Sequence, residues 1–100
     1  MTRLTLEQAS EQLAELGHPT RLSLYRILVK AGNRGMPVAD IQQQLDVPGS
    51  TLSHHISRLL KVGLVVQVRE GRVLRCHAQY ERLNLLIQFL MEECCADERC

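Results

Sequence analysis

The chain has 100 residues, only 3% of them aromatic, and a formal net charge of +1, so it is long enough for one domain with a core built mainly from Leu, Val and Ile. Its apolar runs are too short for a transmembrane span, and its first residues lack the regions of a signal peptide. We therefore expect a cytoplasmic protein with no membrane contact. In that compartment four cysteines indicate metal or redox chemistry rather than a disulfide framework.

The first two thirds of the chain predict four helices. In the first, apolar residues recur every three or four positions, and Gly17 ends it. Pro19 lies in the first turn of the second helix, and Gly32 follows its end. The loop "NRGMP" precedes the third helix, and the tight turn "VPGS" precedes the fourth. The four helices are assigned to residues 5–16, the segment "HPTRLSLYRILVKAG", the segment "VADIQQQLD" and, approximately, residues 50–62.

The last third predicts a hairpin and a fifth helix. The segment "LVVQVREGRVLRCHA" alternates apolar and polar residues around Glu70 and Gly71, which is typical of two antiparallel strands. A final helix over about 80–93 follows, and its apolar stripe continues onto Cys94.

This order of elements predicts a winged helix-turn-helix, a mainly α fold with a small β-hairpin. We assign residues 1–93 to this DNA-binding domain and residues 94–100 to a cysteine-containing C-terminal tail. The first and last helices present more apolar surface than a small core can absorb, so the protein is expected to be a homodimer through these two helices.

Charge is unevenly distributed along the chain. Residues 50–77 carry five basic side chains and one acidic one, a balance of +4, whereas residues 81–100 carry five acidic and two basic ones, a balance of −3. The basic middle segment favours contact with a polyanion. The fourth helix adds a polar face of short hydrogen-bonding side chains opposite its leucines, which is what entry into the DNA major groove requires.

The segments "GHPTRLSLYRIL", "STLSHHISRLLKVGLV" and "REGRVLRCHA" resemble the ArsR/SmtB family of bacterial transcriptional repressors, over roughly residues 6–93. The resemblance implies a homodimer that binds double-stranded operator DNA through the fourth helix and the hairpin. The residues expected to contact DNA are Gln43, Ser50, Thr51, Ser53, His54, His55, Arg58, Lys61, Arg69 and Arg72. Among them, Arg58 can neutralise a phosphate or read a guanine edge in a bidentate fashion.

Two other interpretations of this region are compatible with the sequence. The polar face is also compatible with an ordinary solvated helix, and a winged helix can be a protein-interaction module rather than a DNA reader. Ser53 beside His54 and His55 does not indicate nucleophilic catalysis, because neighbours in a helix point in different directions and no third group orients the histidine. We expect no enzymatic activity.

The tail "EECCADERC" holds the candidate sensor. Two inducer sites of the family are absent: "MPVADIQQQL" has no cysteine, and residues 80–93 have neither Asp nor His, which argues against zinc. Three thiols without an imidazole favour a soft three-coordinate species, and arsenite and antimonite fit that description. An arsenic-responsive subgroup carries a similar cysteine pair and third cysteine, and this resemblance implies that arsenic is bound by Cys94, Cys95 and Cys100.

In this mechanism As(III) or Sb(III) orders the tail and releases the operator, and no other cofactor is required. The alternatives are a repressor that senses thiol oxidation, through a disulfide or polysulfide, and one with no metal-responsive site. In the last case Cys94 is a buried core residue. Cys76 shares a strand face with Leu74 and Ala78 and is expected to pack in the core.

Overall fold

The structure is a computed structural model that describes residues 3–98. The helices and the hairpin predicted from the sequence are confirmed, with helix ends that agree to within two residues. The elements are α1 (Leu6–Leu16), α2 (Pro19–Ala31), a 3-10 turn (Gly32–Arg34), β1 (Met36–Pro37), α3 (Val38–Leu45), α4 (Gly49–Lys61), β2 (Val65–Glu70), β3 (Val73–Ala78) and α5 (Tyr80–Met91).

The segment "NRGMP" is not a plain loop as predicted, because it contributes a third strand. β1 pairs antiparallel with β3, opposite Cys76, and the sheet order is β1-β3-β2. Gly35 makes this pairing possible. Its φ is +65°, and a Cβ built on it would lie 2.4 Å from the carbonyl oxygen of Cys76 and 2.6 Å from Nδ1 of His77. Only glycine fits a backbone approach this close. A two-residue strand is too short to give a periodic signal in the sequence.

The main core lies between α2, α3, α4 and the sheet. Its fully buried side chains are aliphatic apart from one thiol, as the composition predicted. They are Leu24, Leu28, Ile41, Leu52, Leu59, Leu64, Val65 and Cys76. The core position predicted for Cys76 is therefore confirmed, and burial raises the pKa of its thiol. Within residues 3–98, no helix is long and apolar enough to cross a bilayer.

The α1 helix turns a partly polar face inward and an apolar one outward. Its N-terminus is fixed by a capping box between Thr5 and Gln8, and its buried residues are Ala9, Gln12 and Glu15. Leu6 and Leu13 remain 73% and 41% exposed. These leucines belong to the surface of the single chain rather than to its core, which leaves them available for a partner.

The α5 helix, like α1, exposes apolar side chains on its outer face. It ends at Met91, two residues before its predicted end. Leu86 is buried in a small second core with Leu4 and Ala9. Further along α5, Ile87, Leu90 and Met91 are 50–58% exposed.

A series of turns follows α5, and Cys94 lies exposed within it. The alternative that Cys94 is a buried core residue is therefore wrong, because the helix ends before it and its stripe does not extend that far.

Candidate nucleic-acid interface

The α3 and α4 helices form a tight helix-turn-helix. Asp46 ends α3 in the left-handed conformation, with φ at +54°. The Gln42 side-chain amide donates to the Val47 carbonyl at 3.2 Å, and the Leu52 N–H donates to the Pro48 carbonyl at 3.0 Å. These bonds satisfy backbone groups in the turn, so α4 leaves it at a fixed angle.

The α4 helix has one face in the core and one in solvent. Leu52, Ile56 and Leu59 are at most 3% exposed. Six of the seven α4 side chains expected to contact DNA lie on exposed positions, namely Ser50, Thr51, Ser53, His54, Arg58 and Lys61. The outward face therefore presents hydroxyl, imidazole and cationic groups and no large apolar side chain.

His55 does not lie on this face. It is only 6% exposed, and its Nδ1 lies 3.2 Å from Nη1 of Arg21. Its ring centroid is 4.7 Å from that of His18, whose Nδ1 accepts from the Thr20 N–H at the start of α2. Burial, with the charges of His18 and Arg21, lowers the pKa of His55 below 6.5. The expectation that His55 contacts DNA is therefore corrected, because the ring lies between α2 and α4.

The helical pattern itself contained the signal for this correction. His55 follows Leu52 by three residues, and three steps of about 100° place it about 60° from Leu52, on the apolar side of the helix. A histidine beside core leucines is better read as a structural group with a buried partner.

Arg58 is exposed but not free, because it bridges to α1. Its Nε and Nη2 donate to the two carboxylate oxygens of Glu15 at 3.0 and 2.8 Å. These hydrogen bonds lower the pKa of Glu15. The Arg21 Nε donates to the Glu15 main-chain carbonyl at 2.8 Å, and its Nη2 lies 3.4 Å from the carboxylate. Glu15 and Arg21 were not recognised from the sequence, since nothing in the order of residues links positions on α1, α2 and α4.

The wing is the hairpin between β2 and β3. Arg69 and Arg72 are exposed beside the turn at Gly71, which has a φ of +62°. Arg75 is engaged elsewhere, since its Nε pairs with the Glu70 carboxylate at 3.0 Å. Of the three wing arginines Arg69, Arg72 and Arg75, the two predicted to contact DNA are therefore the exposed ones. On α3, the predicted contact Gln43 is also exposed.

The tail cysteines lie apart from the α4 face in the chain and are only partly described. Cys94 and Cys95 lie in the turns after α5, with Sγ atoms 3.6 Å apart. Cys95 is disulfide-bonded. The third predicted arsenic ligand, Cys100, lies outside the described residues. Within residues 3–98, no three His, Cys or acidic side chains are grouped closely enough to hold a metal ion.

Comparison with known proteins agrees with this geometry. A family of helix-turn-helix domains matches residues 16–68, just over half of the chain. An uncharacterized HTH-type transcriptional regulator of Methanocaldococcus jannaschii is 38% identical over 65 residues, which cover 65% of this chain and 71% of that protein.

Two further likenesses involve the ArsR family. A Halobacterium salinarum protein provisionally named arsenical resistance operon repressor ArsR is 37% identical over 60 residues, or 60% of this chain. The match covers 46% of that protein, so this chain spans about half its length. The solution structure of a homodimeric winged helix-turn-helix DNA-binding domain from Mycobacterium bovis is 26% identical and has a TM-score of 0.70. That match covers 88% of this chain and 82% of the other. The winged fold predicted from the sequence is thereby confirmed.

Proposed function

This chain belongs to the helix-turn-helix family of DNA-binding transcriptional regulators, with an ArsR-like winged fold, and we propose that it is a homodimeric repressor released from its operator by a ligand of its tail thiols. It is a regulator rather than an enzyme. The observation that carries the proposal is the polar outward face of α4, held on a rigid core and flanked by the two arginines of the wing.

The α4 face suits the major groove in both size and chemistry. Thirteen residues give a helix of about 20 Å, and the groove is about 12 Å wide, so the helix can lie within it. Hydroxyls of Thr51 and Ser53 and the imidazole of His54 can donate to or accept from base edges. Lys61 and the wing arginines supply phosphate contacts on either side.

The dimer follows from the outward apolar faces of α1 and α5. Leu6, Leu13, Ile87, Leu90 and Met91 together form a patch that a second copy can cover. The Mycobacterium bovis domain of the same fold is homodimeric. A two-fold dimer presents two α4 helices to half-sites about 34 Å apart, one turn of DNA.

The proposed inducer is arsenite or antimonite, bound by Cys94, Cys95 and Cys100. Two sulfurs 3.6 Å apart can bind one ion, because thiolate bonds of about 2.3 Å then require an angle of about 100° at the ion. The Halobacterium salinarum relative bears an arsenical resistance name, which supports the choice of ligand. Binding requires Cys95 in its reduced form. Ordering the tail at the end of α5 would then change how the two subunits are arranged. The coupling free energy between inducer binding and DNA binding would be about 1–3 kcal/mol, and it would weaken DNA binding.

The second candidate is a repressor that senses thiol oxidation, and the disulfide-bonded state of Cys95 favours it. In that case oxidation of the tail, rather than a bound ion, shifts α5. The two candidates share the DNA-binding function and differ only in what the tail detects.

One experiment tests the function and separates the candidates. An operator is selected from random duplex DNA, and fluorescence anisotropy follows the complex during additions of arsenite, zinc and, separately, a peroxide or polysulfide. Under reducing conditions arsenite is expected to release the wild type but not Cys94→Ser, Cys95→Ser or Cys100→Ser, whereas Cys76→Ser serves as the matched control. Release by oxidant alone supports the second candidate, and a chain that selects no DNA sequence refutes the repressor function.

A further inference from the structure

The pair formed by Glu15 and Arg58 joins the proposed dimer helix α1 to the proposed recognition helix α4. The two side chains differ sharply in exposure, since the Glu15 side chain is 10% exposed and that of Arg58 is 45% exposed. The carboxylate is therefore an almost buried anchor, and the arginine extends from it into solvent. A buried acid with two good hydrogen bonds to one arginine fixes that arginine firmly.

The geometry of the contact leaves a defined part of Arg58 unused. Glu15 takes the Nε and Nη2 atoms, which form one side of the guanidinium fork. A guanidinium has five N–H donors, so both donors of Nη1 and the second donor of Nη2 remain. Among residues 3–98, no other side chain or carbonyl accepts from them within hydrogen-bond distance. Two of these donors lie parallel at the end of the fork and match the O6 and N7 acceptors of guanine.

The fixed position of Arg58, rather than the surrounding charge, favours a base contact over a phosphate contact. Glu15 carries one negative charge against the two positive charges of Arg58 and Arg21, so the three groups together keep a net charge of +1. Arg21 lies 3.4 Å from the same carboxylate and is itself buried, with its side chain 10% exposed. Because Glu15 holds the fork in one place, Arg58 is less able to follow phosphates at varying positions, and its remaining donors stay aimed in one direction.

We propose that Glu15 is a positioning residue that holds Arg58 for bidentate reading of a guanine in the operator. This inference rests on the proposed DNA-binding function and assigns it a determinant of sequence specificity. Glu15 fixes the Arg58 side chain before DNA binds, and it thereby limits the part that Arg58 plays in non-specific binding. A neighbouring helix thereby takes part in base recognition without touching DNA.

The test compares affinity for the selected operator with affinity for a scrambled duplex of equal length. Glu15→Gln is expected to lower this ratio about three- to tenfold, the usual effect of freeing one long side chain. Binding to scrambled DNA becomes tighter, and its salt slope steepens by up to about 0.9, because Arg58 released from Glu15 can neutralise one phosphate. Arg58→Ala is expected to lower the ratio about tenfold or more and to abolish the preference at one guanine position.

A double-variant cycle shows whether Glu15 acts through Arg58. In the Arg58→Ala background, Glu15→Gln should leave the ratio unchanged. Glu11→Gln is the matched control, because Glu11 is an exposed acid on the same helix, and it should leave the ratio at the wild-type value. The inference is overturned if Glu15→Gln changes the affinities for operator and scrambled DNA by the same factor. It is also overturned if Glu15→Gln still lowers their ratio in the Arg58→Ala background.

A second variant keeps the test decisive should Glu15→Gln fold poorly. Arg58→Lys retains the charge but presents no fork, so it should keep affinity for scrambled DNA while losing the guanine preference. Unchanged preference in Arg58→Lys also overturns the inference. If the wild type selects no sequence at all, the proposed function has failed rather than the role of Glu15.

Discussion

Replacing Gly35 by alanine should destabilise the protein far more than the same change at other glycines with positive φ. At Gly35 two costs add. The backbone at Gly35, with φ at +65° and ψ at −161°, lies in a region essentially restricted to glycine, and this conformation costs at least about 1 kcal/mol for a residue with a Cβ. The new Cβ also meets the Cys76 carbonyl at 2.4 Å, and that carbonyl belongs to the central strand of the sheet, which cannot move away without disturbing its pairing on both sides.

The second cost can be worked out from the pairing of β1. Relief of the contact requires β1 to leave β3, which breaks its short ladder and exposes part of Met36. Each lost backbone hydrogen bond costs about 0.5–1.5 kcal/mol. With the strain included, we expect a loss of about 3 kcal/mol, which corresponds to about 12 °C or more in Tm for a domain of this size.

Gly71→Ala is the matched control, because Gly71 has a φ of +62° and nothing within 4 Å of the position of its Cβ. It should show the strain alone, about 1 kcal/mol. Both variants are measured by urea and thermal denaturation at one protein concentration, since a dimer is stabilised by mass action. Equal losses in the two variants would mean that the contact with β3 does not constrain the fold, and the reasoning would be refuted.

Three further predictions concern pH, the dimer and the wing. Because the pKa of His55 is lowered in the folded chain, the unfolded chain binds more protons below pH 6.5, so stability should fall as pH drops below that value. His55→Gln should remove this component from the urea midpoint, and the exposed His54→Gln should not. Leu90→Glu should dissociate the dimer in sedimentation experiments, whereas Gln88→Glu on the same helix should not; a Leu90 variant that stays dimeric would exclude this face. Arg72→Ala should weaken binding to operator and unrelated DNA equally and reduce the salt slope by about 0.9, and a sequence-dependent loss would contradict a phosphate contact.

Periodicity made the helices, the hairpin and the exposed α4 face predictable, because those features depend on residues close in the chain. The spacing of Leu52, Ile56 and Leu59 alone defines which side of α4 enters the core. The same reasoning places His55 about 60° from Leu52, near the apolar side, so its burial follows from the helical pattern. A helical pattern predicts DNA contacts reliably only when each residue is first assigned to the buried or the exposed face of the helix.

Contacts between segments that are distant in the chain could not be predicted from the sequence. Gly35 meets Cys76, and Glu15 meets Arg58 across 43 positions, so neither pairing leaves a mark in local order. The apolar stripe of α1 was also ambiguous, since helical spacing cannot distinguish a face that meets its own core from one that meets another chain. The arsenic ligands stay a prediction, because Cys100 lies outside the described residues.

The inner face of α1 determines how movement can pass through this molecule. Gln12 donates a hydrogen bond to the Val62 carbonyl at the end of α4. One turn earlier on α4, Arg58 donates to the carboxylate of Glu15. Directional bonds of this kind hold over a narrow range of distance and angle, unlike contacts between leucines, which tolerate sliding. Side-chain hydrogen bonds therefore couple the position of α1 to that of α4. A displacement of α1 relative to α4 therefore either moves both helices together or breaks these hydrogen bonds.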